Sequence, residues 1–140
     1  MDRALLDTDI LSEVLKRRND TVVQRAEEYL RVHGRFTISC ITVLEVVSGW
    51  HRLLREDRVQ QFLGLLPGFE VLPLDTDAAT QAGRIVADLA RLGRPVGRAD
   101  SMIAAIAAAR KLPLVTGNTD HYRRISELGI PLVLSDWRNA

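Results

Sequence analysis

Residues 99–116 read ADSMIAAIAAARKLPLVT. The first twelve predict a helix that is apolar nearly all round, which places it beneath other elements rather than on the surface. PLVT, at 113–116, is a short apolar run bounded by Pro and Gly and predicts a buried strand. A buried helix feeding directly into a buried strand is the pattern of a crossover connection in a parallel sheet.

The remaining segments extend this pattern. Residues 3–6 (RALL), 36–39 (FTIS), 69–72 and 131–134 (PLVL) predict four more short strands. Helices are expected from the DTD that follows RALL to Arg18, from about Thr21 to Val32 behind an Asp20 cap, from Thr42 onward, up to Pro67, and from Asp75 to Leu92. In the last of these, Ala78, Ala82, Ile85, Val86 and Leu89 share one face. Thr42 and Glu45 match a capping box, with Glu45 three residues into its helix. Strands alternating with helices define an α/β fold with a mostly parallel sheet of about five short strands, covered on both faces.

With 140 residues, 46% hydrophobic and 26% charged, the chain 1–140 fits one globular domain and excludes disorder or repeats. The longest apolar run, Met102–Ala109, has eight residues. A membrane-spanning helix needs about 20, so no membrane association is expected. No basic, then apolar, leader precedes Asp7. Cys40 is the sole cysteine, which permits no internal disulfide and makes a reducing cytoplasm the expected location. The net charge of +1 selects no partner by itself, yet 17 of the 19 basic residues are Arg, whose planar fork suits phosphate. A genomic bias toward Arg is the plain alternative.

In open parallel sheets, sites form beyond the carboxyl ends of the strands. There stand Asp7 and Asp9 after the first strand, Glu45 on the helix after the second, and Asp120 after PLVT, while Asp100 opens the buried helix. Each has a structural alternative as a helix cap, and Arg98 as an ion-pair partner would account for Asp100. Together, five acids from four segments, with no Lys nearby in sequence, call for a cation. Carboxylates without a His or Cys pattern select a hard ion, Mg²⁺ or Mn²⁺, rather than Zn²⁺; His33, His51 and His121 show no ligand spacing. Such ions activate water and steady the leaving oxygen in phosphodiester hydrolysis. Setting four of these acids aside leaves 14 acidic against 19 basic residues, a surface suited to a polyanion. Arg94 and Arg98 before Asp100, and Arg123 after Asp120, are candidate phosphate contacts.

LLDTDILSE (5–13), SCITVLEVVSG (39–49) and RADSMIAAIAAARKLPLVTGNTDHYRRI (98–125) resemble, in this order, the PIN-domain nucleases, specifically the VapC toxins of bacterial toxin-antitoxin pairs. The resemblance implies a three-layer α/β/α sandwich, Mg²⁺-dependent endoribonuclease activity, a homodimer, and inhibition by a cognate VapB-like antitoxin. It places the family's first three acids on Asp7, Glu45 and Asp100. Asn118 stands where many PIN domains carry Asp, which leaves Asp120 as the fourth acid. Asp9 stands where VapC-like chains commonly carry Asn. Thr8 and Thr116 bring hydroxyls to the same rim, for water orientation or backbone bonding. The implied arrangement has Asp7, Glu45 and Asp100 on one Mg²⁺, with Asp120 and Asp7 placing a second ion or the attacking water. RNA as substrate follows from the resemblance alone.

Two other classes share parts of this pattern. Asp7-Thr8-Asp9 after a strand looks like the nucleophile motif of haloacid-dehalogenase-type phosphatases, and receiver-like modules use a similar acidic pocket. Both need a Lys beyond PLVT, and Lys16 and Lys111 precede it. A PIN-like binding protein without catalysis is the third reading, left open by Asn118.

Overall fold

A computed structural model describes residues 1–139. Five short strands, β1 (Leu5–Leu6), β2 (Thr37–Ser39), β3 (Glu70–Leu72), β4 (Leu114–Val115) and β5 (Leu134–Ser135), form one parallel sheet in the order β3-β2-β1-β4-β5. Seven helices connect them: α1 (Thr8–Lys16), α2 (Asp20–His33), α3 (Cys40–Arg52), α4 (Glu56–Leu65), α5 (Thr76–Arg91), α6 (Arg98–Arg110) and α7 (Thr119–Ser126).

Successive strand side chains point to opposite faces, so Leu5 and Leu6, and again Leu114 and Val115, feed two separate cores. Leu6 and Val115 join Ile10, Leu11, Val22, Tyr29 and Phe36 beneath α1 and α2. Leu5 and Leu114 join Ile85, Leu89, Ile103 and Ile106 beneath α5 and α6. The three-layer α/β/α arrangement is thus observed. Residues 103–107 of α6 are all essentially inaccessible, as the unbroken apolar run predicts, and their three alanines let α5 approach closely. No helix among the described residues is long and apolar enough to cross a membrane.

Three local expectations are corrected. The cap of α2 is Asn19, whose Oδ1 accepts from Val22 N–H at 3.1 Å, and Asp20 lies inside the helix. Helix α3 starts earlier than Thr42: Ser39 accepts the Thr42 N–H at 3.2 Å, so Thr42 and Glu45 sit within the helix and their side chains are released from capping. The last strand is Leu134–Ser135 rather than residues 131–134, because its register follows Leu114 and Val115.

The sheet order puts the topological switch point between β1 and β4. From β1 the chain winds outward through β2 and β3 to one side, then returns to place β4 on the other. The loops leaving β1 and β4 diverge there, which opens a crevice at their carboxyl ends. Helices α1, α3, α6 and α7 all begin at this end of the sheet.

A candidate carboxylate site at the β1/β4 switch point

Strand register fixes the centre of the crevice. Leu6 pairs with Val115, so Asp7 and Thr116 are the next residues out on adjacent strands. Asp7 N–H donates to Val115 O at 2.8 Å, and the Thr116 hydroxyl donates to Asp7 Oδ2 at 2.8 Å. Asp7 Oδ1 accepts from Thr8 N–H at 2.8 Å as the cap of α1. Thr116 Oγ1 also accepts from Asn118 N–H at 2.9 Å, which ties the β4 loop to Asp7.

Around this centre, three further contributions converge. Thr42 and Glu45 are one turn apart on α3, and both meet Thr8: its hydroxyl donates to Glu45 Oε1 at 2.6 Å and lies 2.9 Å from Thr42 Oγ1. Asp9 Oδ2 accepts from Gly117 N–H at 3.0 Å. Asp100, in the first turn of α6, faces α7: Asn118 Nδ2 donates to its Oδ2 at 3.4 Å, His121 Nδ1 lies 3.0 Å from the same oxygen, and the Tyr122 hydroxyl donates to Oδ1 at 3.4 Å.

Asp120 does not join them. It sits on the outer face of α7, its side chain 82% exposed and paired with Arg123 at 3.1 Å. The helical repeat explains this, because Asn118, His121 and Tyr122 follow the i, i+3, i+4 spacing of one face and Asp120 falls outside it. Arg98 is exposed and forms no ion pair among the described residues, so the ion-pair alternative for Asp100 fails. Arg94 pairs with Glu127, across the loop before α6.

Sequence reasoning missed three participants. His121 and Tyr122 were legible as the same helical face as Asn118. Arg138 was not, since nothing in the sequence links it to Gly117, whose carbonyl accepts from its guanidinium at 2.7 Å. A Cβ on Gly117 would lie 2.5 Å from the Arg138 guanidinium carbon and 2.8 Å from Asp9 Oδ2, so any other residue here makes the ends of these two side chains move aside.

The electrostatics are those of uncompensated negative charge. Asp7 is 4% exposed, and its bonded donors are neutral. Burial first, then the charges of Asp9 and Asp100, push its carboxyl up to about 7. Asp9 is raised as well, chiefly by lost hydration on its inner side, against a lowering pull from Arg138. Burial and the facing carboxylates hold the Tyr122 hydroxyl protonated, far above its ordinary range. Among the described residues, no Lys or Arg forms an ion pair with Asp7, Asp9, Glu45 or Asp100; the ion-pair contact of Asp100 is with His121. No three acids or histidines among them converge as a ready ligand set. The donor chemistry nonetheless fits a hard dication: hydroxyl and carboxylate oxygens from α1, α3 and α6 stand at the crevice beside a buried carboxylate that pairs with no Lys or Arg.

Comparison with known proteins agrees with this fold. A family model described as PIN domain matches residues 4–128. The tRNA(fMet)-specific endonuclease VapC of Shigella flexneri is 36% identical over 129 residues, covering 91% of this chain and 96% of that protein. The corresponding protein of Salmonella typhimurium is 35% identical over 138 residues, 98% of this chain and 99% of that one. In the crystal structure of DNA-bound VapBC from Salmonella typhimurium, one chain superimposes with a TM-score of 0.78 at 34% identity, covering 98% of this chain and 99% of that chain. The chain belongs to the PIN-domain family, in its VapC ribonuclease branch. It is a nuclease acting on phosphodiester bonds.

Proposed function

We propose that this chain is the toxin of a toxin-antitoxin pair, an endoribonuclease that uses Mg²⁺, or Mn²⁺ in its place, to cut tRNA, and that a VapB-like antitoxin holds it inactive. The observation that carries the cation is Asp7, a buried carboxylate with no basic partner at the point where β1 and β4 diverge. Asp7, Glu45 and Asp100 would hold the ion. Bound there, a dication lowers the pKa of water and offsets charge on the leaving oxygen of an in-line displacement.

The chain's own residues prepare that site. Thr116 and Thr8 fix the two oxygens of Asp7, and the Thr8 hydroxyl fixes Glu45. Asn118 occupies the fourth position of the rim, and Asp120 stays in solvent. Arg94, Arg98 and Arg123 supply exposed positive charge; the ion pairs of Arg94 and Arg123 are surface pairs worth at most about 1 kcal/mol, and both exchange readily onto phosphate. RNA as the substrate is supported by the names of the relatives, two of them tRNA-specific.

The antitoxin reading is supported by a groove of about 630 Å³ that opens at Thr8 and Glu45 and runs past Trp50, Leu53, Phe62 and Leu65. Leu44, Leu53 and Leu54, 62, 65 and 86% exposed, add an apolar margin on and just after α3 that supports a homodimer. The test is cleavage of tRNA by the purified chain with Mg²⁺ or with EDTA, wild type beside Asp100→Asn. Cleavage is expected only in wild type with Mg²⁺. Full activity in Asp100→Asn, with contaminating nuclease excluded, overturns the proposal.

A further inference from the structure

Three polar atoms meet where α6 faces α7. Asp100 Oδ2 and His121 Nδ1 are 3.0 Å apart, His121 Nδ1 and the Asn118 side-chain amide are 2.8 Å apart, and the amide is 3.4 Å from Asp100 Oδ2. The His121 nitrogen has one proton or one lone pair to offer, never both. Protonated, it donates to Asp100 and confronts the amide N–H; unprotonated, it accepts from the amide and turns its lone pair on a carboxylate. Turning the amide by half a turn, which leaves its shape unchanged, brings Asn118 Oδ1 to face the other two. All three atoms are then acceptors, with no proton among them to hold them together. Neighbouring ligand atoms at ~2.1 Å from an octahedral ion lie about 3.0 Å from one another, close to the 2.8, 3.0 and 3.4 Å found here.

We propose that His121 is a nitrogen ligand of the divalent cation, binding through Nδ1 beside the Asp100 carboxylate and the Asn118 side-chain oxygen. This rests on the reading that the rim binds a dication. It explains why the rim functions with Asp120 turned to solvent: α7 contributes imidazole and amide in place of a fourth carboxylate. The Tyr122 hydroxyl, held on the other carboxylate oxygen, keeps Asp100 Oδ2 toward α7. The other two histidines are engaged elsewhere, His33 with Met1 O and His51 beside Glu56. An imidazole among oxygen ligands shifts preference from Mg²⁺ toward Mn²⁺ and the later first-row ions. The competing arrangement is a protonated Nδ1 shared between Asp100 and the turned amide, with no contact to the ion.

Pulsed electron paramagnetic resonance on the full chain loaded with Mn²⁺ separates the two. Wild type is expected to show nitrogen modulation from a directly bound imidazole, and protein labelled with ¹⁵N-histidine is expected to show the ¹⁵N pattern. His121→Gln is expected to lose the modulation and to bind Mn²⁺ about tenfold or more weakly in calorimetry. The labelled wild type reads the ligand even where that variant folds poorly. Bound Mn²⁺ without histidine modulation, or modulation unchanged in His121→Gln, overturns this inference alone. Failure of wild type to bind Mn²⁺ overturns the cation-binding reading and this inference with it.

Discussion

Replacing Asp7 with Asn is expected to abolish Mg²⁺-dependent cleavage and, in metal-free protein at neutral pH and above, to stabilise the fold. Burial and the neighbouring acids push the Asp7 carboxyl from 3.8 up to about 7. At about 1.36 kcal/mol per tenfold, keeping that group ionised in the folded chain opposes folding by roughly 4 kcal/mol. Between pH 4 and 7 the native state holds a proton that the unfolded state has lost, so stability falls as pH rises through this window and stays low above it. Asn carries no charge and removes this opposition, but it puts an NH₂ donor in place of one of the two oxygens that accept from Thr8 and Thr116, which forfeits about 1–3 kcal/mol. The balance is a gain of about 1–3 kcal/mol at pH 8, or about 3–10 °C in Tm for a chain of this size. Thermal unfolding in EDTA, followed by circular dichroism from pH 5 to 8, measures it; the difference between wild type and Asp7→Asn reads this carboxyl together with its effect on Asp9 and Asp100. A difference that stays flat across the range, or a variant less stable than wild type at pH 8, refutes the reasoning.

Thr116→Val removes the hydroxyl that serves both Asp7 and Asn118 N–H at an inaccessible position; a loss of about 1–3 kcal/mol in chemical denaturation and about 10–100-fold in Mg²⁺ affinity is expected. Gly117→Ala places a Cβ against the side-chain ends of Arg138 and Asp9, which can swing aside, and is expected to lose no more than about 1 kcal/mol, part of it recovered by Arg138→Ala in a double-mutant cycle. Asp120→Asn breaks only an exposed pair with Arg123, so stability within about 0.5 kcal/mol of wild type and an unchanged cleavage rate are expected. A rate loss approaching that of Asp100→Asn would restore Asp120 to the chemistry.

The α/β class was legible because its decisive signals are local. The apolar run through α6 and the alternation of strands with helices require nothing beyond periodicity. The sheet order with β1 at its centre was not, since crossover lengths do not say to which side each strand returns. Thr42 and Glu45 satisfy a capping pattern, yet Ser39 reaches the Thr42 N–H first, and that displacement frees the two side chains for Thr8. The Pro131–Leu134 run reads as a strand on hydrophobicity, but pairing with Leu114 and Val115 decides the register, leaving Val133 exposed. In the candidate site, the rule that functional groups follow the strand ends singled out Asp7, Glu45 and Asp100, which the fold brings to the crevice between β1 and β4. Charge alone then favoured Asp120, which the phase of α7 turns to solvent while His121 faces Asp100. The place of Arg138 depends on Trp137 anchoring the chain in the core against Tyr29 and Phe36, a long-range event with no local signature.

On the proposed reading, Asp7, Glu45 and Asp100, none of them paired with Lys or Arg among the described residues, are held together for a dication. Calorimetric titration of EDTA-stripped protein with Mg²⁺, repeated at pH 7 in buffers of different ionisation enthalpy, tests it most directly. Because the Asp7 carboxyl sits at about 7 before the ion arrives, binding is expected to release a proton, to weaken as pH falls toward 5, and to vanish in Asp100→Asn. Mg²⁺ that fails to bind, or binds wild type and Asp100→Asn alike without proton release, contradicts the account.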